Sequence, residues 1–141
     1  MPRIKKIDKI MKKILLMMTL LIGTLSFAFA QSGQKQAEIK FDKLTHNFGT
    51  ITDKDPVQKC TFTFTNVGNA PLIINQAVAS CGCTVPQYSK KPIMPGEKGS
   101  ITVTFNSRGQ FPSHFKKTVT VRSNGKIEMT RLYVEGIIAE K

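Results

Sequence analysis

Cys81 and Cys83, separated only by Gly82, are the side chains of this sequence best suited to chemistry. Two thiols at that spacing can stay reduced, close a small disulfide ring, or hold a soft ion such as Cu(I) between two thiolates. Local closure meets a geometric obstacle. Positions i and i+2 of an extended strand lie roughly 6.5–7 Å apart at Cα, whereas disulfides usually span about 4.4–6.8 Å. A bend at Gly82 removes it. Cys60 is the less suitable partner: it lies six residues before Asn66 and Cys81 ten after Pro71. On straight strands the two would be offset by about 13 Å. A local disulfide, or none, is expected ahead of a long-range one. The simplest role for the motif is to bend the chain after Ser80 with both thiols packed as small side chains. Cys60, on the face shared by Phe62 and Phe64, reads as a small buried hydrophobe.

Little else in the sequence adds chemistry. A copper site would need ligands from afar, since no methionine or histidine lies within ten residues of the pair and Met94, His46 or His114 would have to approach in space. His46 sits beside Phe48 in a prospective edge strand and His114 follows Pro112-Ser113 in a loop; each reads as solvated or hydrogen-bonded. The acids after residue 30, Glu38, Asp42, Asp53, Asp55, Glu97, Glu128, Glu135 and Glu140, form no paired motif. Nucleophile-elbow, metalloprotease and phosphate-loop patterns are missing. No catalytic residue, cofactor or bound metal is expected, and the chain does not read as an enzyme. The basic residues Lys90, Lys91, Arg108, Lys116, Lys117, Arg122 and Arg131 are dispersed without an aromatic platform, which speaks against nucleic acid.

The elements that must position these residues are strands. In 60–65, Cys60, Phe62 and Phe64 alternate with Thr61, Thr63 and Thr65, as a half-buried strand requires. Ser100 to Phe105 repeats the pattern, and Lys117 to Arg122 and Thr130 to Val134 give two more. Glu38 to Asp42, His46 to Thr52 and Leu72 to Ser80 are less regular but rich in β-formers. Turns are expected at Asn66–Pro71, Met94–Gly99 and Ser123–Lys126, the last carrying an Asn-Gly hairpin signal. About seven strands and no amphipathic helix after residue 30 predict an all-β, immunoglobulin-like antiparallel β-sandwich.

The first thirty residues read as an address. Arg3, Lys5, Lys6, Lys9, Lys12 and Lys13 precede an apolar run from Ile14, which ends in Ala28-Phe29-Ala30, the small residues a signal peptidase accepts. Cleavage between Ala30 and Gln31 is the expected processing, with no transmembrane segment left afterwards. An uncleaved anchor is the alternative, because 17 residues reach the lower end of the roughly 17–25 that span a bilayer. The expected organisation is signal peptide 1–30, polar spacer 31–37 and domain 38–141. Of the net charge of +12, the domain with its spacer keeps +7, from fifteen basic and eight acidic residues.

Several segments together resemble a bacterial family known as domain of unknown function 1573. They are Phe48-Gly49-Thr50-Ile51, Phe62 to Gly68 with Ala70-Pro71-Leu72, Ser80-Cys81-Gly82-Cys83-Thr84-Val85-Pro86, Pro95-Gly96-Glu97, Ile101 to Asn106 and Val134-Glu135-Gly136. The broader pattern looks like the sandwiches grouped with PapD-like chaperones and major sperm protein domains. The resemblance implies a fold and an extracytoplasmic setting but no activity. Taken with the leader, the expected role is an exported, periplasmic or secreted, non-enzymatic binding or structural module. Its expected partner is an envelope protein or an anionic envelope polymer. The rival reading is a thiol-redox or Cu(I)-handling protein built on Cys81 and Cys83.

Overall fold

Alternating apolar and hydroxyl side chains let an extended chain bury one face and wet the other. Each alternating segment is a strand in the computed structural model of the chain, which describes residues 2–23 and 33–140. The chain divides into two units between Gln34 and Lys35. The first contains helix α1 (Pro2–Gly23), with its basic side chains toward the start and Leu15 to Met18 each more than half exposed. Among the described residues no helix is long and apolar enough to cross a membrane. The cleavage residues Ala28, Ala30 and Gln31 lie outside the described residues.

The second unit is an all-β sandwich. Its strands are β1 (Ile39–Phe41), β2 (Thr45–Ile51), β3 (Val57–Asn66), β4 (Ile74–Ala79), β5 (Thr84–Tyr88), β6 (Lys98–Asn106), β7 (Ser113–Ser123) and β8 (Met129–Ile138). One sheet runs β1-β3-β6-β5 and the other β2-β8-β7-β4. The sandwich expected from the sequence is present, with one strand added and one direction changed. Among the described residues the strands number eight, one more than the seven segments legible in the sequence, because Thr84–Tyr88 forms β5 although Pro86 sits at its centre. The Asn106 N–H donates to the Cys83 carbonyl, so Val85 and Gln87 bond to β6 and Pro86 turns its missing donor to the open edge, where proline costs no ladder bond. The sandwich is also not wholly antiparallel, since β2 runs parallel to β8 from Thr45 beside Tyr133 to Ile51 beside Ile138. Period-two patterning fixes which side chains face inward, not the direction of a neighbour some 90 residues away.

Both sheets contribute to one core. Cys60, Phe62, Phe64, Ile101 and Val103 meet Ile74, Val119, Val121, Leu132 and Val134 between the layers. A smaller cluster of Ile51, Phe105, Phe115 and Ile138 closes one end, where the Phe105 and Phe115 rings stack with centroids 4.2 Å apart. His114, expected in a loop, lies near the start of β7 opposite Ile137 and is exposed. Ahead of β1, Ala37 is buried and its carbonyl accepts from the Lys126 N–H at 2.8 Å.

Candidate functional site

Cys81, Gly82 and Cys83 occupy the crossing where the chain leaves β4 in one sheet and enters β5 in the other. Both ends of the crossing are tied down. The Ser80 N–H donates to the Thr118 carbonyl at 2.8 Å, and the Ser80 hydroxyl accepts from the Thr118 N–H at 3.2 Å. On the other side the Cys83 carbonyl accepts from the Asn106 N–H at 2.8 Å. Between these anchors the Thr84 N–H reaches back to the Cys81 carbonyl at 3.3 Å and closes a turn. The turn supplies the bend that an extended chain lacks: the Cα atoms of Cys81 and Cys83 stand 5.3 Å apart and their sulfurs are joined in a disulfide.

The surroundings of the two sulfurs differ. Cys83 packs against the Phe105 and Phe115 cluster, whereas Cys81 belongs to neither core cluster; Gly82 between them is exposed. Thr84, only 3% exposed, places Oγ1 3.6 Å from Cys81 Sγ and 3.7 Å from Cys83 Sγ. Cysteine spacing alone does not point to Thr84; its sequence signals are its place in the Ser80-Cys81-Gly82-Cys83-Thr84 element and a hydroxyl directly following the second thiol.

The structure does not bring Cys60 to this pair. Cys60 is a free, buried thiol on the inner face of β3, and burial pushes its pKa up to about 11 against a weak opposing pull from Lys43. His46 lies on β2, with Nδ1 3.0 Å from Lys43 Nζ and its ring edge-on to Phe48 at 4.8 Å. Its pKa is lowered, first by burial and then by the Lys43 charge. Among the described residues no group of three or more His, Cys, Asp and Glu is arranged to hold a metal. Lys116 pairs with Glu135 at 3.3 Å and lies 5.0 Å from the centroid of the Tyr133 ring, so it is held along β7 and β8.

The sheet edges form a second candidate surface. Unpaired edges invite another strand, and proteins blunt them with short length, proline or bulges. β1 has three residues, β5 carries Pro86 on its open side, and β2 is interrupted between Asn47 and Thr50, where Gly49 takes a positive φ of 70°. β4 is irregular only at its start; from Gln76 to Ala79 it pairs with β7 without a break. Because the Ser80 N–H bonds to Thr118, alternation points the N–H and C=O of Ala77 and Ala79 away from β7. Val78 on this strand is 48% exposed.

The family described as Protein of unknown function (DUF1573) matches residues 39–138, from the first residue of β1 to the last of β8. The chain belongs to this family. This DUF1573 domain is similar in structure to a protein of unknown function from Porphyromonas gingivalis, with a TM-score of 0.66 and 14% identity over 78% of this chain. The likeness spans 51% of that protein, about half its length. It is similar also to PapD-like domain 7 of human CEP192, with a TM-score of 0.61 and 10% identity over 79% of this chain and 92% of that one. The periplasmic chaperone SfaE gives a TM-score of 0.51 at 8% identity, covering 73% of this chain and 58% of that one. At such identities the likeness establishes a PapD-like sandwich fold for the DUF1573 domain. No curated protein matches the chain.

Proposed function

We propose that this chain is an exported, non-enzymatic module of the bacterial cell envelope that binds a partner protein by accepting a strand at the β4 edge. The observation that carries the reading is the unbroken, unblunted stretch Gln76–Ala79, with its outward backbone groups at Ala77 and Ala79 beside exposed Val78. Main-chain hydrogen bonds would supply affinity there and the flanking side chains specificity. The envelope setting draws its support from the leader: α1 has a basic start and an exposed apolar continuation, which suits an export signal. A PapD-like fold is compatible with protein binding, since one of its structural neighbours is a periplasmic chaperone. An anionic envelope polymer is the second class of partner compatible with the basic domain. It would bind through charge and lose affinity steeply with salt.

Substitution at the edge tests the reading. Ala77→Pro removes an outward N–H without removing a bond to β7. Capture of a specific protein from envelope extracts by the full chain should be abolished in this variant and survive moderate salt. Capture that persists in Ala77→Pro, or that is lost only as salt rises, would overturn strand addition.

A further inference from the structure

From the disulfide's place in the fold we infer a second capability, independent of the binding edge: the Cys81–Cys83 disulfide is a thiol–disulfide exchange centre that accepts two electrons from a dithiol, with Cys81 as the attacked sulfur, Cys83 as the leaving thiolate and Thr84 as the positioning residue.

Three observations carry it. The ring can open without breaking a bond of either sheet, because Ser80 is fixed to Thr118 and Cys83 to Asn106 by hydrogen bonds that do not involve sulfur. The turn therefore persists in the reduced form and keeps the two thiols close enough to re-form the bond. The two sulfurs are also inequivalent: both residues are half-buried beside exposed Gly82, but Cys83 is backed by the Phe105 and Phe115 cluster while Cys81 stands outside both clusters. An incoming thiolate has its approach on the Cys81 side. Finally, Thr84 Oγ1 is buried and has the two sulfurs as its hydrogen-bond partners. A hydroxyl so placed donates to whichever sulfur becomes a thiolate, and a donor to the charged form stabilises it.

The exchange balances as follows. A thiolate of the dithiol attacks Cys81 Sγ; a mixed disulfide forms, the Cys81–Cys83 bond breaks, and Cys83 leaves as a thiolate accepting from Thr84. The second thiolate of the dithiol then attacks its own partner sulfur and releases Cys81. The dithiol has lost two electrons and become a disulfide, Cys81 and Cys83 have gained them, and the two protons end on the released thiols. A small-molecule disulfide such as oxidised glutathione returns the centre to its starting state by the reverse steps. Cys60 takes no part, being buried away from the pair.

The test uses the full chain in glutathione buffers, quenched with acid and read by mass spectrometry. The pair should interconvert between disulfide and dithiol while the protein stays folded by circular dichroism. Cys83→Ser should trap glutathione at Cys81, and Cys81→Ser should trap it at Cys83 roughly tenfold more slowly. Thr84→Val should slow reduction about tenfold and move the pH profile for alkylation of the reduced pair upward, and Thr84→Ser should restore both. Cys60→Ala should change nothing. Reduction only under conditions that unfold the chain, equal trapping at the two cysteines, or a pH profile indifferent to Thr84→Val would each overturn the assignment.

Discussion

Asn66 is fully buried at the end of β3, and its amide makes hydrogen bonds to four backbone groups. Nδ2 donates to the carbonyls of Ala70 and Ile93 at 2.8 and 2.9 Å, and Oδ1 accepts from the N–H groups of Gly68 and Glu38 at 3.0 and 3.4 Å. These partners belong to the segment before β1, the β3–β4 loop and the segment before β6. Asn66→Ala removes all four bonds; the Ile93 carbonyl keeps the Leu72 N–H, while the Ala70 carbonyl and the Gly68 and Glu38 N–H groups, half-buried, lose the amide as partner. We expect a loss of about 3 kcal/mol by urea denaturation, since each such group costs about 1–3 kcal/mol and relaxation recovers part. A loss under 1 kcal/mol would show that water replaces the amide. His46 sets a pH dependence at the same scale. Its folded pKa lies below the ordinary 6.5, so below that value the unfolded chain binds the proton more readily than the native one. The stability held above pH 6.5 should decline as pH falls through the folded pKa, and His46→Gln should remove that part of the slope. An unchanged slope in His46→Gln would assign it to other groups.

At the scale of elements, β3, β6, β7 and β8 are legible in the sequence because each must bury alternate side chains, and Phe62, Ile101, Val119 and Leu132 mark their inner faces. β5 is not, because proline is excluded from central strands but harmless on an open edge, and edge position is a property of the assembled sheet. The bend at Gly82 is legible as a possibility; its closure into a disulfide depends on anchors at Thr118 and Asn106, respectively 35 and 23 residues beyond Cys83. Asn66 reads as an ordinary turn residue for the same reason: Ile93, one of its partners, lies 27 residues away. The disulfide itself closes a ring of only three residues, so it restricts the unfolded chain little. The chain-entropy relation gives about 1.5 kcal/mol. The double variant Cys81→Ser/Cys83→Ser should therefore melt cooperatively with a stability lower by about that amount. A loss above about 4 kcal/mol would make the bond chiefly a structural staple.

At the scale of the whole molecule, the charge and the core separate the chain at nearly the same place. Residues 1–30 carry five of the twelve net positive charges, while the sandwich begins to gather its contacts just after Lys35. Gln36 N–H donates to Asn69 Oδ1 at 2.7 Å, Asn69 N–H returns a bond to the Gln36 carbonyl at 3.0 Å, and the Ala37 carbonyl accepts from Lys126. Gly68 explains how closely this segment lies, since a Cβ there would collide with the backbone of Gln36 to Glu38. Gln36 and Ala37 therefore act as part of the fold, joining the β3–β4 loop to the β7–β8 turn. Proteins beginning at Lys35 and at Glu38 should differ by about 2–3 kcal/mol, the net worth of three hydrogen bonds together with a buried methyl. By differential scanning calorimetry that corresponds to a melting temperature lower by roughly 10 °C in the shorter one. Gly68→Ala should be damaging in the longer protein and much less so in the shorter, because the backbone it would strike is mostly gone; such non-additivity is the signature of direct contact. Equal melting temperatures for the two proteins, or a Gly68→Ala cost that is the same in both, would place the start of the folding unit at β1 instead.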